Sequence, residues 1–435
     1  MFDSNECLML PELITMIGTL FLLAQVLATN AASMQPGTWK QIHATNQAGY
    51  TRALFTDLCN SSSGIGSYKD RIQWDPNTKA VWFTGADAGS NLSCGKVLKY
   101  EENVDFWSAA VPSIRSVLSP LGITSITHNY EQADFDPVTK RLYWRSYNSK
   151  RFWHYDTAEN TWTEIASYPY SYAQASAMQW IPSMGLIVTD NGRVAKWNPA
   201  TNTWSLIASG LAFNYSNFMD YNPVLGIVLF GGGGQTPKKL FKMTVPSGVV
   251  TPLNDSPVAL GTQSPSGAVV THDPNTGLFL ILPQSGILQQ YDVSTETWTA
   301  LGAVPFYTGN GAGNIQAVPI PEYGAVFVIM NKHTIWGNNL NGTFLYKHSA
   351  GPLSPPTPTV PGPPTGLKLQ HTLKWTASAD SVFGYKIYDN GLEIGTTTNT
   401  FFDIVLEPGS HVITVQAFND VGFSDPSNAV SFFIE

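Results

Sequence analysis

The sequence predicts an all-β chain: a six-bladed β-propeller closed by an outer strand from the N-terminus, plus a C-terminal β-sandwich. Three observations carry this reading. First, an aromatic residue stands seven positions before a tryptophan at Tyr100/Trp107, Tyr155/Trp162, Trp197/Trp204 and Tyr291/Trp298, and Met243/Val250 keeps the interval without the aromatics. Second, a segment reading Pro, two free positions, Gly or Lys, then an apolar run recurs six times, with prolines at 76, 137, 182, 223, 274 and 321. Third, successive prolines fall 41 to 61 residues apart, close to the roughly 40 to 50 residues of a four-stranded blade.

Each repeat reads as a tight hairpin. Asp or Asn before Pro starts a turn, because the side chain caps nearby N–H groups and proline presets φ. Gly185, Gly226, Gly277, Gly324, Asn160 and Asn202 then sit where a four-residue loop needs a left-handed conformation. Pairing each Pro-containing hairpin with the aromatic hairpin after it gives four strands per blade, a to d from the axis outward. The sixth blade lacks a d strand, since proline-rich sequence follows TFLYK at 343–347. GTWKQIHA at 37–44 matches NTWTEIA and NTWSLIA, so Trp39 to Ile42 is expected to supply that strand, with Trp39 opposite Tyr346. Closure of this kind leaves no ragged sheet edge.

The Tyr-Asp-x-x-x-x-x-Trp hairpins and the glycine run Gly231 to Gly234 resemble a kelch-type propeller, over about residues 37–349. Residues 350–366 are proline-rich and read as a stiff linker. Residues 367–435 resemble a fibronectin type III domain, through Trp375, the segment GYKIYDNG at 384–391 and the V-x-A-x-N-x-x-G-x-S ending at Val415 to Ser424. His411 stands where that family places its corner tyrosine, so the tyrosine's hydrogen bond is expected to be missing.

The N-terminal 1–32 reads as a secretory signal peptide, with an uncharged apolar run at 13–28 and small residues at Ala28, Ala31 and Ala32, although Asp3, Glu6 and Glu12 replace the usual basic start. An uncleaved anchor is the alternative, but the run is short for a span, and no other stretch approaches membrane length. Secretion or cell-surface display is therefore expected, with no membrane span in the mature chain. The formal charge of −8 and 12% charged residues exclude a nucleic-acid partner. Cys59 and Cys94 are the only cysteines beyond the leader and are expected to pair as a disulfide in an exported chain. Nothing in the residue spacing calls for a metal or another cofactor.

Short a–b and c–d turns share one face of such a ring, and the long, irregular b–c and d–a loops share the other, where binding residues concentrate. Counting back from each proline puts Tyr68, Lys69, Asp70 and Arg71 at the channel mouth in blade one, His128, Asn129, Tyr130 and Glu131 in blade two, and Tyr172 and Gln174 in blade three. Blade four contributes Asn214, Tyr215 and Asn217, blade five Gln263 and Ser264, and blade six Asn310, Asn314 and Gln316. Amides, hydroxyls and tyrosines suit sugars, since rings stack on C–H patches and amides exchange hydrogen bonds with hydroxyls. The same ring also suits a water-filled channel. Glu131 with Asp70 forms a possible acid and base pair, with His128 or Tyr130 moving a proton.

A sialidase-like site needs three arginines where only Arg71 is placed, and a galactose-oxidase-like site needs an adjacent Tyr-His pair that is absent. Sequons at Asn60, Asn91, Asn214 and Asn341 matter only in a eukaryotic secretory pathway. Three functional expectations follow. The leading one is a binding or adhesion protein whose loop face meets a glycan or an extracellular protein. The others are a carbohydrate lyase or hydrolase, and a structural protein that self-associates.

Overall fold

The computed structural model describes residues 26–44, 72–85, 96–109, 119–121, 132–145, 149–170, 176–261, 267–306, 315–332, 340–350, 363–370, 372–378, 382, 384–404, 406–418 and 423–434. Two compact units are present, the larger comprising Met1–Trp180 and Leu186–Leu353 and the smaller comprising Ile181–Gly185 and Ser354–Glu435.

In the larger unit the repeats become six four-stranded antiparallel sheets. Sheet one is Ile72–Asp75, Ala80–Gly85, Lys96–Glu101 and Phe106–Ala109; sheet two is Ala133–Asp136, Arg141–Arg145, Phe152–Asp156 and Thr161–Ile165. Sheet three is Ala177–Ile181, Gly185–Asp190, Arg193–Asn198 and Thr203–Ala208; sheet four is Phe218–Asn222, Ile227–Gly231, Leu240–Thr244 and Val250–Pro252. Sheet five is Val269–His272, Phe279–Leu282, Ile287–Asp292 and Thr297–Ala303. The sixth takes Ile315–Ile320, Ala325–Lys332 and Leu340–Lys347, and its outer strand is β1, Thr38–Ala44. The inner strand of sheet six lies beside those of sheets five and one, so the set fits a six-bladed propeller.

Closure is as the aromatic spacing requires. Trp39 faces Tyr346 across the strand pair, and the rings stack with centroids 4.4 Å apart. Phe306 meets the Trp39 ring edge-on at 5.2 Å. The same pairing recurs at Tyr100/Trp107, Tyr155/Trp162 and Tyr291/Trp298, with centroids 5.4, 5.1 and 4.5 Å apart. These aromatics also fill the seams between sheets: Tyr100 stacks on Phe327 of sheet six, and Tyr143 of sheet two on Trp180 of sheet three at 5.0 Å.

Turn chemistry accounts for the hairpins. Asp75 and Asp136 each accept a backbone N–H two residues on at 2.9 Å, from Asn77 and Val138, and Asp292 does so from Ser294 at 2.8 Å. All the expected left-handed residues are left-handed, and Lys79, Lys140, Asp105 and Glu296 join them with φ between 52° and 58°. A further bond explains two of the asparagines. Tyr155 Oη donates to Asn160 Oδ1 at 2.6 Å and Trp197 Nε1 to Asn202 Oδ1 at 3.0 Å, as Tyr100 Oη does to Asp105 at 2.9 Å.

An eight-residue helix, α1 (Val26–Ser33), precedes β1. All but its last residue falls in the expected 1–32 leader, yet Leu27, Ala31 and the following Met34 are buried with Ile72, Trp74 and Phe327.

In the smaller unit a three-stranded sheet (Thr365–Gln370, Thr372–Thr376, Phe401–Asp403) and a four-stranded one (Leu392–Thr397, Gly384–Asp389, Gly409–Phe418, Val430–Ile434) are present. Their buried residues, among them Leu373, Trp375, Tyr385, Ile387 and Val415, form one core. The expectation of a missing corner bond is corrected here. His411 Nε2 meets the Glu407 carbonyl at 2.9 Å and Nδ1 meets Asp389 Oδ2 at 2.7 Å. Two acceptors on two ring nitrogens favour the imidazolium, and the Asp389 carboxylate first, then the Glu407 carbonyl, raise the His411 pKa above its ordinary value. A raised histidine pKa contributes stability that is fully present below the unfolded value of about 6.5 and is lost as pH rises through the folded value. The smaller unit is therefore expected to become easier to unfold in urea as pH rises from about 6.5 through the folded value, and His411→Gln is expected to flatten the dependence.

Candidate functional site

Antiparallel pairing puts the a–b and c–d turns of every sheet at one end of the ring and the b–c and d–a loops at the other. At the turn end several side chains of the described residues are engaged within the turns. Asp75, Asp136 and Asp292 cap their own turns as described; Asp273 accepts from Thr276 Oγ1 at 2.6 Å and Ser349 Oγ at 2.8 Å, and Asn77 Nδ2 reaches the Pro137 carbonyl of the next sheet at 2.7 Å.

The inner strands hold a second set of internal bonds. Three residues before the repeat proline, the side chain reaches from one sheet to the next. Gln73 Nε2 donates to the Ala133 carbonyl at 3.0 Å, Asp134 accepts the Trp180 N–H, and Gln179 Oε1 accepts the Tyr221 N–H at 2.8 Å. Asp220 Oδ2 meets His272 Nδ1 at 2.8 Å, with Asp220 1% and His272 4% exposed. Burial of Gln73, Asp134, Asp220 and His272 makes their bonds latches between sheets rather than groups offered to solvent, and half-buried Gln179 adds a fourth link.

Among the residues read from the sequence as the channel mouth, Asn214, Tyr215, Asn217 and Gln316 are described. Tyr68, Lys69, Asp70, Arg71, His128, Asn129, Tyr130, Glu131, Tyr172, Gln174, Gln263, Ser264, Asn310 and Asn314 lie outside the described residues, as do Cys59 and Cys94. Asn217 is fully buried: Thr189 Oγ1 donates to its Oδ1 at 2.6 Å and its Nδ2 donates to the Asn214 carbonyl at 3.0 Å. It fixes sheet three to sheet four. Gln316 is also buried, and neither of its amide atoms has a hydrogen-bond partner among the described residues.

Asn214 and Tyr215 are half-buried, and the glycine run explains how they are held. Gly234 N donates to the Tyr215 carbonyl at 2.8 Å and Gly233 N to the Leu260 carbonyl at 3.2 Å. Gly233 has φ +101°, and a Cβ there would sit 2.6 Å from the Tyr215 carbonyl oxygen. The b–c loop of sheet four thereby lies directly on the two d–a loops beside it. Gly233→Ala combines a disfavoured φ with a backbone clash and is expected to cost about 2 kcal/mol or more, measured by denaturant unfolding.

Sequence reasoning missed a polar cluster between sheets two and three at the loop end. Arg145, fully buried, donates Nη1 to Ser176 Oγ at 2.6 Å and Nε to the Ser149 carbonyl at 2.8 Å, with its guanidinium 5.4 Å from the Phe152 ring centroid. Burial first, then the nearby Asp190 carboxylate, push the Tyr168 hydroxyl above its ordinary pKa. The available signal was a charge closing an apolar strand, in RLYWR and again in GLIVTD.

Among the described residues no group of His, Cys, Asp or Glu is arranged to hold a metal ion, and no helix is long and apolar enough to cross a membrane. Comparison with protein-family models finds no match, and comparison with curated proteins finds none.

Proposed function

We propose that the chain is an exported binding or adhesion protein: a kelch-like six-bladed propeller whose loop face meets a glycan or an extracellular protein, joined by a proline-rich linker to a fibronectin type III sandwich that acts as a spacer or adhesion module. One observation carries the reading. At the turn end Asp75, Asp136 and Asp292 cap their own hairpins, whereas at the loop end Asn214 and Tyr215 are half-buried on a backbone held by Gly233 and Gly234. A half-exposed tyrosine beside an amide, on a backbone held by the packed glycine loop, suits stacking on a sugar ring with a hydroxyl bond alongside. The tail reading is supported by three- and four-stranded sheets around Trp375, and by His411 bonding where a corner tyrosine would.

The test pairs a glycan array with a reducing-end assay on the purified chain. Binding without release of reducing ends supports the proposal. Release that disappears in Glu131→Gln would replace it with the enzymatic reading, and concentration-dependent assembly insensitive to sugars would replace it with the structural one.

A further inference from the structure

Helix α1 lies in the stretch whose composition reads as a removable leader, yet both of its ends are met by charges from the ring. At its N-terminal end Glu102, fully buried in the c–d turn of sheet one, accepts the Ala28 N–H at 2.9 Å and the Tyr323 hydroxyl at 2.6 Å. At its C-terminal end Lys347, at the end of a sheet-six strand and 6% exposed, donates Nζ to the Ala31 carbonyl at 3.1 Å. The unpaired N–H groups at a helix start favour negative charge and the unpaired carbonyls at its end favour positive charge. Sheet one supplies the first and sheet six the second, so α1 spans the seam at which the ring closes. Its buried side chains, Leu27 and Ala31, add apolar contact to the same seam.

A cut after Ala31 or Ala32 would strip both partners away, and a cut after Ala28 would remove Leu27 and the Ala28 N–H; the losses after Ala31 or Ala32 are the larger. Glu102 would keep only Tyr323 among the bonds described, Lys347 would lose its carbonyl, and apolar surface around Ile72 and Trp74 would be uncovered. Buried charges deprived of partners are strongly destabilising. We propose that α1 is a permanent second clasp of the folded protein, and that any proteolytic maturation of the N-terminus cuts before Val26 rather than at the small residues inside the helix.

The test starts from the folded full-length chain, digested with a broad-specificity protease and weighed intact. The resistant body is expected to begin at Val26 or earlier, and so is the chain recovered after export. Leu27→Asp is expected to let trimming run on through the helix and to lower the melting midpoint by about 5 °C or more. If that variant fails to fold, Lys347→Met, which keeps the apolar stem, carries the same test through faster trimming of the helix. A body that begins after Ala31 or Ala32 and melts at the temperature of the untrimmed chain overturns the proposal.

Discussion

Replacing Trp39 with alanine is expected to lower the unfolding free energy by about 3 kcal/mol, near the lower end of the range for removing a large aromatic from a packed site. The indole is only half-buried, which reduces the loss. Its position increases the consequence, because it stacks on Tyr346 and meets Phe306 edge-on, joining the first described strand to the last strand of the ring. A closed ring loses its protected edge when that strand loosens, so the strand Leu340–Lys347 is expected to become an exposed edge. Urea unfolding should show the lower stability, and hydrogen exchange should show the strongest loss of protection in 38–44 and 340–347. Lys40→Ala, at an exposed position on the same strand, is expected to change stability by less than about 0.5 kcal/mol.

The second large effect is expected at the latch between sheets four and five. Asp220→Ala leaves His272, 4% exposed, without the carboxylate that meets its Nδ1 at 2.8 Å, and the expected cost is about 3 kcal/mol. Asp220→Asn keeps an acceptor there and is expected to cost about 1 kcal/mol. A double-mutant cycle with His272→Ala separates the pair from packing, since a latch predicts coupling and two independent residues predict additive losses. Removing a latch in the inner ring should also make the sheets unfold less cooperatively.

How much of this could be read from the chain depended on the range of the interaction. The hairpins were legible because Asp-Pro turns and the Tyr-to-Trp interval are local. The Trp39/Tyr346 pairing was legible for the same reason, since one half of a repeated hairpin stood alone at each end of the ring. Left-handed Lys79 and Lys140 were readable only by analogy with Gly185 and Gly226, because lysine carries no preference for that conformation. The latches were not legible: Asp134 and Gln179 look like solvated channel residues until neighbouring sheets bring the Trp180 and Tyr221 N–H groups to them. His411 was read only for the hydroxyl it lacks, whereas its two ring nitrogens meet Asp389 and the Glu407 carbonyl. Helix α1 was hidden because it overlaps the end of the 13–28 apolar run and its partners, Glu102 and Lys347, lie far along the chain. Asn214 and Tyr215 were found as loop residues, but their fixation by Gly233 and Gly234 required the packing of three loops.

The face assignment is the center of the functional account, and one comparison tests it most directly. Wild type, Tyr215→Ala on the loop face and Val224→Ser on the turn face are read side by side on a glycan and extracellular-protein array, after equal melting midpoints have been verified. Binding that is lost in Tyr215→Ala and retained in Val224→Ser is the expected result. Binding that survives Tyr215→Ala but disappears in Val224→Ser would place the ligand on the stereotyped turns and contradict the account.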